Sequence, residues 1–309
     1  MHQVQPSNRW KRRLLLCALV TFSLGVVLGL LFLINGTVLA ARNEPVVGTT
    51  SHPPIVPNQV KEIRIVAHNV AKGFAHQGGL RFDEEEKVRQ RMEKMGEVIR
   101  AEQPDLVFLS EVIHECTPCS VDQVRELAEK TGMHTWIFGE NYNFGLPFYR
   151  VVGGNAILSK FPLEPVANHD LAGRKPFYKT HNNRRILWAA VRINGQRLLL
   201  GCLHTDSFSR KNNATQMRQI LSFSRGQPTI LAGDFNAEPD SETMDLVRDS
   251  NRFSGSLEGE RTFPAGKPDR RIDYVFAPHS WELIDHRVLC STVSDHRPVV
   301  SVYAVPRAP

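Results

Sequence analysis

Polar residues able to hold a cation, move a proton or grip an anion stand at the margins of apolar, strand-like runs. Asn69 closes the first such run, which begins at Ile63. Glu111 follows the run 106–110, and His204 follows 198–203. Asp234 and Asn236 follow 230–233, Asp273 lies inside 271–276, and Asp295 and His296 open the last run. Strand ends at one edge of a sheet gather residues distant in sequence into one pocket. These residue types suit attack on a phosphodiester, whose negative charge repels hydroxide until a cation neutralises it. Mg²⁺ or Mn²⁺ prefers the hard oxygens that Glu111, Asn69 and Asp295 offer. Asp234 is suited to orient or deprotonate the attacking water, and Asn236 to donate its amide to a phosphate oxygen. His204 and His296 can protonate or hydrogen-bond phosphate oxygens, and a carboxylate such as Asp273 raises the pKa of His296.

Each residue alone also has a plainer reading. Asp234 after a buried strand can form a turn, Asn236 can close an Asx-turn, and Glu111 can cap a helix. His204 can be a satisfied histidine near the core, and Asp295-His296 a cap. Asp273 is harder to dismiss, because a buried carboxylate needs a partner. Asn155 follows Gly153-Gly154 and reads equally as a turn-shaping residue or a phosphate contact. Arg184-Arg185 reads as a solvated basic pair before an anion site, and His181-Asn182-Asn183 as a substrate loop. Asn213-Ala214-Thr215 fits a glycosylation sequon.

The elements that must position these groups mix helices with hairpins. Val88, Met92, Met95 and Ile99 recur at helical spacing after an expected N-cap at Asp83, and Pro104 follows the helix. Ser120 is expected to cap a second helix ending near Gly132, and a third spans about 212–223. Asn194-Gly195 between 185–193 and 197–203 is a strong hairpin signal. This alternation implies an α/β sandwich with much antiparallel sheet.

Ahead of these runs, residues 14–34 carry no charge and are rich in Leu and Val. As a helix they span about 30 Å, the hydrocarbon thickness of a bilayer. Arg9, Lys11, Arg12 and Arg13 precede them, so the positive-inside rule places 1–13 in the cytoplasm and the remaining chain outside it. The alternative is a signal peptide cut after Val38-Leu39-Ala40, releasing a secreted protein. Residues 35–60 carry several prolines and are expected to be a spacer between the helix and a domain at 61–309. The net charge of +6 comes largely from the N-terminal cluster, which weakens any case for a basic nucleic-acid groove. Cys116 and Cys119 form a CxxC pair without a second ligand pair, which reads as a local disulfide or plain thiols.

Gly233-Asp234-Phe235-Asn236 and Ser294-Asp295-His296-Arg297-Pro298 resemble signatures of the endonuclease/exonuclease/phosphatase family. Gly154-Asn155-Ala156-Ile157-Leu158-Ser159, Leu203-His204-Thr205 and Arg271-Ile272-Asp273-Tyr274 match further motifs in the family's order. The resemblance covers about 61–305. It implies a four-layer α/β sandwich around two central, mostly antiparallel sheets of the DNase I-like kind, and a Mg²⁺-dependent phosphoester hydrolase. It also implies Glu111 and Asn69 near the metal, Asp234 on the water, and His296 paired with Asp273. Nuclease members offer a carboxylate to the histidine matching His204, and none stands in 141–145; Asp206 is nearby in sequence. Nucleic acids, phospholipids and inositol phosphates are the substrate classes weighed, with a non-catalytic binding module as the alternative of another kind. An exposed apolar loop near the site, for which 143–149 is the candidate, would mark a lipid substrate.

Overall fold

The computed structural model describes residues 9–40, 43–55, 59–75, 81–173, 175–176 and 183–306. The expected substrate-loop residues His181 and Asn182 lie outside them. Two β-sheets stack face to face, because strands whose two faces are both apolar must be covered on both.

The first sheet is built from β1 (Val46–Thr49), β2 (Glu62–Asn69), β3 (Leu106–Cys116), β4 (Thr135–Leu146) and β5 (Tyr149–Ser159), with β12 (Glu282–Val288) and β13 (Val299–Ala304) from the end of the chain. Its order is β1-β4-β5-β3-β2-β13-β12, antiparallel except for β2 beside β3. The second contains β6 (Leu163–Asp170), β7 (Arg185–Ile193), β8 (Gln196–His204), β9 (Thr229–Asp234), β10 (Phe253–Ser254) and β11 (Asp273–Pro278). Its order is β10-β11-β9-β8-β7-β6, antiparallel except for β8 beside β9.

Between the sheets lies a core that includes Ile63, Ile65, Phe108, Ile157, Leu187, Leu200 and Val275. Helices α2 (Glu85–Ala101) and α3 (Gln123–Thr131) cover the outer face of the first sheet through Met92, Met95, Val124 and Leu127. On the outer face of the second, α4 (Arg210–Phe223) and α5 (Glu242–Asp249) pack Met217, Ile220 and Met244 against Trp188 and Phe235. Helix, sheet, sheet, helix makes the four layers of the DNase I-like fold. Asn194 and Gly195, both at positive φ, close the β7–β8 hairpin as expected.

Several boundaries differ from the sequence reading. Helix α2 is capped at Glu84 rather than Asp83, α3 at Asp122 rather than Ser120, and α4 starts after Ser209. Asp122 and Ser209 accept hydrogen bonds from the backbone N–H three residues on, which decides between neighbouring cap candidates. The 35–60 segment is not spacer throughout. Its Val46-Val47-Gly48-Thr49 stretch forms β1, paired with β4 at the sheet edge. The apolar helix α1 runs Arg9–Thr37, longer than the uncharged stretch, and docks its last turns on β4. Cys116 and Cys119 are buried free thiols rather than a disulfide.

Candidate active site

Parallel pairing puts the C-terminal ends of β2 and β3, and of β8 and β9, at one edge of the sandwich. In the first sheet Asn69 lies opposite Ser110, beside Glu111; in the second, His204 lies opposite Asp234. The two sheets meet there: the Asn69 amide Nδ2 donates to Asp234 Oδ2 at 3.0 Å.

Asp234 is the hub. It is buried, and its Oδ1 accepts the backbone N–H of Asn236 at 2.9 Å. The turn-former reading thus holds for the same carboxylate that the site uses. His204 Nε2 lies 3.3 Å from Asp234 Oδ2 and His296 Nε2 lies 3.8 Å from it. Asp273 Oδ2 accepts from His296 Nδ1 at 2.8 Å.

The imidazoles differ in charge for physical reasons. Burial alone would lower the His296 pKa, but Asp273, Asp234 and Asp295 outweigh it and lift the pKa to about 10. Burial dominates at His204, aided by Arg184, and lowers its pKa to about 3. Arg184 donates to His204 Nδ1 at 2.8 Å, so the neutral ring carries its proton on Nε2, toward Asp234.

Glu111 does not end its strand. It sits at a register shift inside β3 with φ +53°, so the cap reading fails. A non-glycine residue there costs on the order of 1–3 kcal/mol. Leu109, Val112 and Ile113 around it are fully buried, each contributing roughly 1.5–3 kcal/mol, enough to hold the kink. Burial would raise the Glu111 carboxyl, but His204, Lys72 and Arg184 bring it down to about 2. Because His204 is neutral near pH 7, the cations Lys72 and Arg184 sustain that depression there.

The donor set fits a hard divalent cation. Glu111 is an ionised carboxylate already pressed against the Lys72 ammonium, a cation standing where a metal would neutralise charge. Asn69 Oδ1 accepts the Ala71 N–H and retains a lone pair. Asp295 lies exposed at the rim, in a loop before β13 rather than in the strand, and its Oδ1 accepts from Ser294 Oγ. Asp234, Asp273 and His296 also present ligand atoms within 4.8 Å of one another. A His296 that stays protonated is a poor ligand, so that trio is better suited to holding a proton.

Two expected contacts move. Asn155 is fully buried inside β5, where its Nδ2 donates to the Arg185 carbonyl in the facing sheet at 3.1 Å. The residue ties the sheets together and shapes no turn. The Asn236 amide is likewise engaged, donating to the Thr205 carbonyl at 3.1 Å. Arg184-Arg185 is no solvated pair: Arg185 is 2% exposed and bonded to Asp170, Asn43 and Asn168. Asn213 is buried too, its Nδ2 donating to the Asp206 and Phe235 carbonyls, so the sequon does not present a free amide. Asp206 lies beyond the end of β8, where its Oδ1 accepts from the Phe208 and Ser209 N–H groups.

The sequence reading missed Lys72, in a 3-10 turn just past β2 with φ +58°. Its signal was position alone, three residues beyond Asn69.

The chain matches the model of the Endonuclease/Exonuclease/phosphatase family over residues 66–296. It belongs to that family. The family consists of hydrolytic phosphoesterases that generally use divalent metal ions. The uncharacterized protein YbhP of Escherichia coli K12 is 23% identical over 269 residues, covering 79% of this chain and 98% of its own. An endonuclease/exonuclease/phosphatase from Beutenbergia cavernae superposes with TM-score 0.60 at 22% identity, covering 80% of this chain and 72% of its own. A mannosyl-6-phosphatase from Bacteroides thetaiotaomicron superposes with TM-score 0.58 at 16% identity, covering 79% and 100%. At these identities the structural likeness concerns the fold.

Proposed function

We propose that this family member is a membrane-anchored, Mg²⁺-dependent phosphodiesterase. The observation that carries the reading is the continuous chain of contacts Glu111–His204–Asp234–His296–Asp273, in which one imidazole is held protonated and the other neutral. Glu111 and Asn69, with Asp295 at the rim, would hold the metal. When bound, Mg²⁺ or Mn²⁺ supplies charge neutralisation on the phosphate. Asp234, fixed by the Asn69 amide and the Asn236 N–H, accepts a proton from the attacking water. His296 donates to a phosphate oxygen or the leaving group, its positive charge maintained by Asp273. Neutral His204, oriented by Arg184, keeps its Nε2–H on Asp234 and so holds that carboxylate in place.

The anchor reading rests on α1, which is long and apolar enough to cross a bilayer. The basic cluster orients its N-terminus to the cytoplasm and the catalytic domain outside it. The buried Asn35 supports an intact anchor over cleavage near Ala40: its Nδ2 donates to Asn143 Oδ1 at 2.9 Å and to the Gly145 carbonyl at 3.0 Å.

Hydrolysis of bis(p-nitrophenyl) phosphate tests the chemistry. His296→Ala or Asp234→Ala is expected to lower kcat/KM at least ~10²-fold, and EDTA to abolish turnover. Full activity in EDTA, or wild-type rates in both variants, rejects the mechanism.

A further inference from the structure

The exposed aromatic residues of the domain cluster at one end of it. Among the described residues beyond α1 they are Phe74, Phe148, Tyr149 and Phe208. Phe74 ends the 3-10 turn that follows Asn69, and Phe208 lies in the loop that follows His204. Phe148 and Tyr149 form the tip of the β4–β5 hairpin. That hairpin overhangs the catalytic edge: Val112, next to Glu111, pairs with Gly154, and the tip stands five residues farther on, about 16 Å at ~3.3 Å per residue. Phe208 is 79% exposed and is followed by exposed Arg210 and Lys211. A cleft of about 640 Å³ beside Asn236 is lined by Phe208 and Arg210.

The path of the chain says what covers this rim. Asn35 in α1 bonds to Asn143 and Gly145, close to the hairpin tip, and Phe32 packs edge-on against Phe144 at 5.5 Å. Farther along, Val46 pairs with Phe138 and Thr49 with Thr135, so the chain descends the sheet edge away from the tip. The membrane helix therefore enters from the tip end, the end that carries the active site.

We propose that the catalytic edge rests on the surface of the bilayer that α1 crosses, and that the substrate is a phosphodiester headgroup of that bilayer. Phe148, Tyr149 and Phe208 sit at headgroup level, where aromatic rings are favoured, and Arg210 and Lys211 pair with lipid phosphates. The inference rests on the hydrolase and anchor readings above.

The test uses the full chain in vesicles of phosphatidylethanolamine and phosphatidylglycerol, with bis(p-nitrophenyl) phosphate as the soluble probe. Phe148→Trp in vesicles with brominated acyl chains is expected to add fluorescence, relative to wild type, that bromine quenches. No quenching overturns the proposal, and a signal that follows the protein-to-lipid ratio instead assigns the rim to a second copy and overturns it as well. Phe148→Ser/Phe208→Ser is expected to slow headgroup release at least ~10-fold while leaving the soluble diester within about twofold. Equal loss on both substrates, or intact lipid beside a hydrolysed soluble diester, overturns the proposal. Loss of soluble-diester hydrolysis in wild type would instead reject the hydrolase reading.

Discussion

His296 carries two opposing influences: burial, which favours the neutral ring, and carboxylates on two strands, which favour the cation and win. Asp273 is the nearest of these, 2.8 Å from Nδ1. Asp273→Asn keeps a hydrogen-bond acceptor but removes the charge, so the folded pKa of His296 should fall toward its ordinary value. Since the protonated ring is the acid, activity is lost as pH rises through that pKa. The variant should therefore lose activity at a lower pH than wild type, and its kcat/KM at pH 7 should fall by up to about fourfold as the pKa nears 6.5. A pH profile of kcat/KM checks this; an unmoved alkaline limb would separate Asp273 from the acid. At this scale the sequence was most informative where ligand and neighbour are contiguous, as in Gly233-Asp234-Phe235-Asn236. It was least informative where a side chain acts across space: Lys72 and Arg184 reach Glu111 and His204 through folds of the backbone that no local pattern announces.

Gly233 shows how an element aims a residue. It lies in β9 with φ +135°, and a Cβ there would come within 2.2 Å of the Leu203 carbonyl oxygen on β8. The atoms it would meet are all Leu203 backbone, which leaves nothing flexible to yield, so glycine is required by conformation and by space. Gly233→Ala is expected to cost at least ~3 kcal/mol and lower Tm by about 6–12 °C, with Asp234 displaced and activity lost. Thermal unfolding followed by circular dichroism measures it, and an unchanged Tm would show that β8 and β9 part without penalty. Elements with long apolar runs or a two-residue turn, such as β9 and the β7–β8 hairpin, were legible in the sequence. Strand β1 was not, because four residues between prolines carry little pattern and gain their place from pairing with β4, where Gly48 lies against Trp136. Helix starts slipped by one or two residues because Asp83, Glu84, Ser120 and Asp122 compete locally, and only tertiary packing chooses among them.

For the whole molecule, the wholly or partly buried histidines set a stability optimum. His68, His204 and His286 are held neutral chiefly by burial, with folded pKa values of about 3, 3 and 4. Unfolded, each titrates near 6.5. Between pH 6.5 and 4 the unfolded chain therefore binds more protons, and stability falls as pH drops, by up to about 4 kcal/mol per pH unit for three groups. His296 acts in the other direction. Below 6.5 it is protonated in both states and contributes no slope; above 6.5 the folded chain keeps a proton that the unfolded chain has lost, so stability declines as pH rises toward 10. These opposing slopes place the stability maximum of the metal-free protein near pH 6.5. Urea unfolding of the detergent-solubilised chain in EDTA, from pH 4 to 9.5, should trace that maximum. His68→Gln should reduce the acid slope by about a third, because one of three titrating groups is gone. A flat profile, or one rising steadily to pH 9.5, would mean that these imidazoles titrate in the folded protein as they do in water, and the neutral His204 on which the proposed proton assignments depend would have to be abandoned.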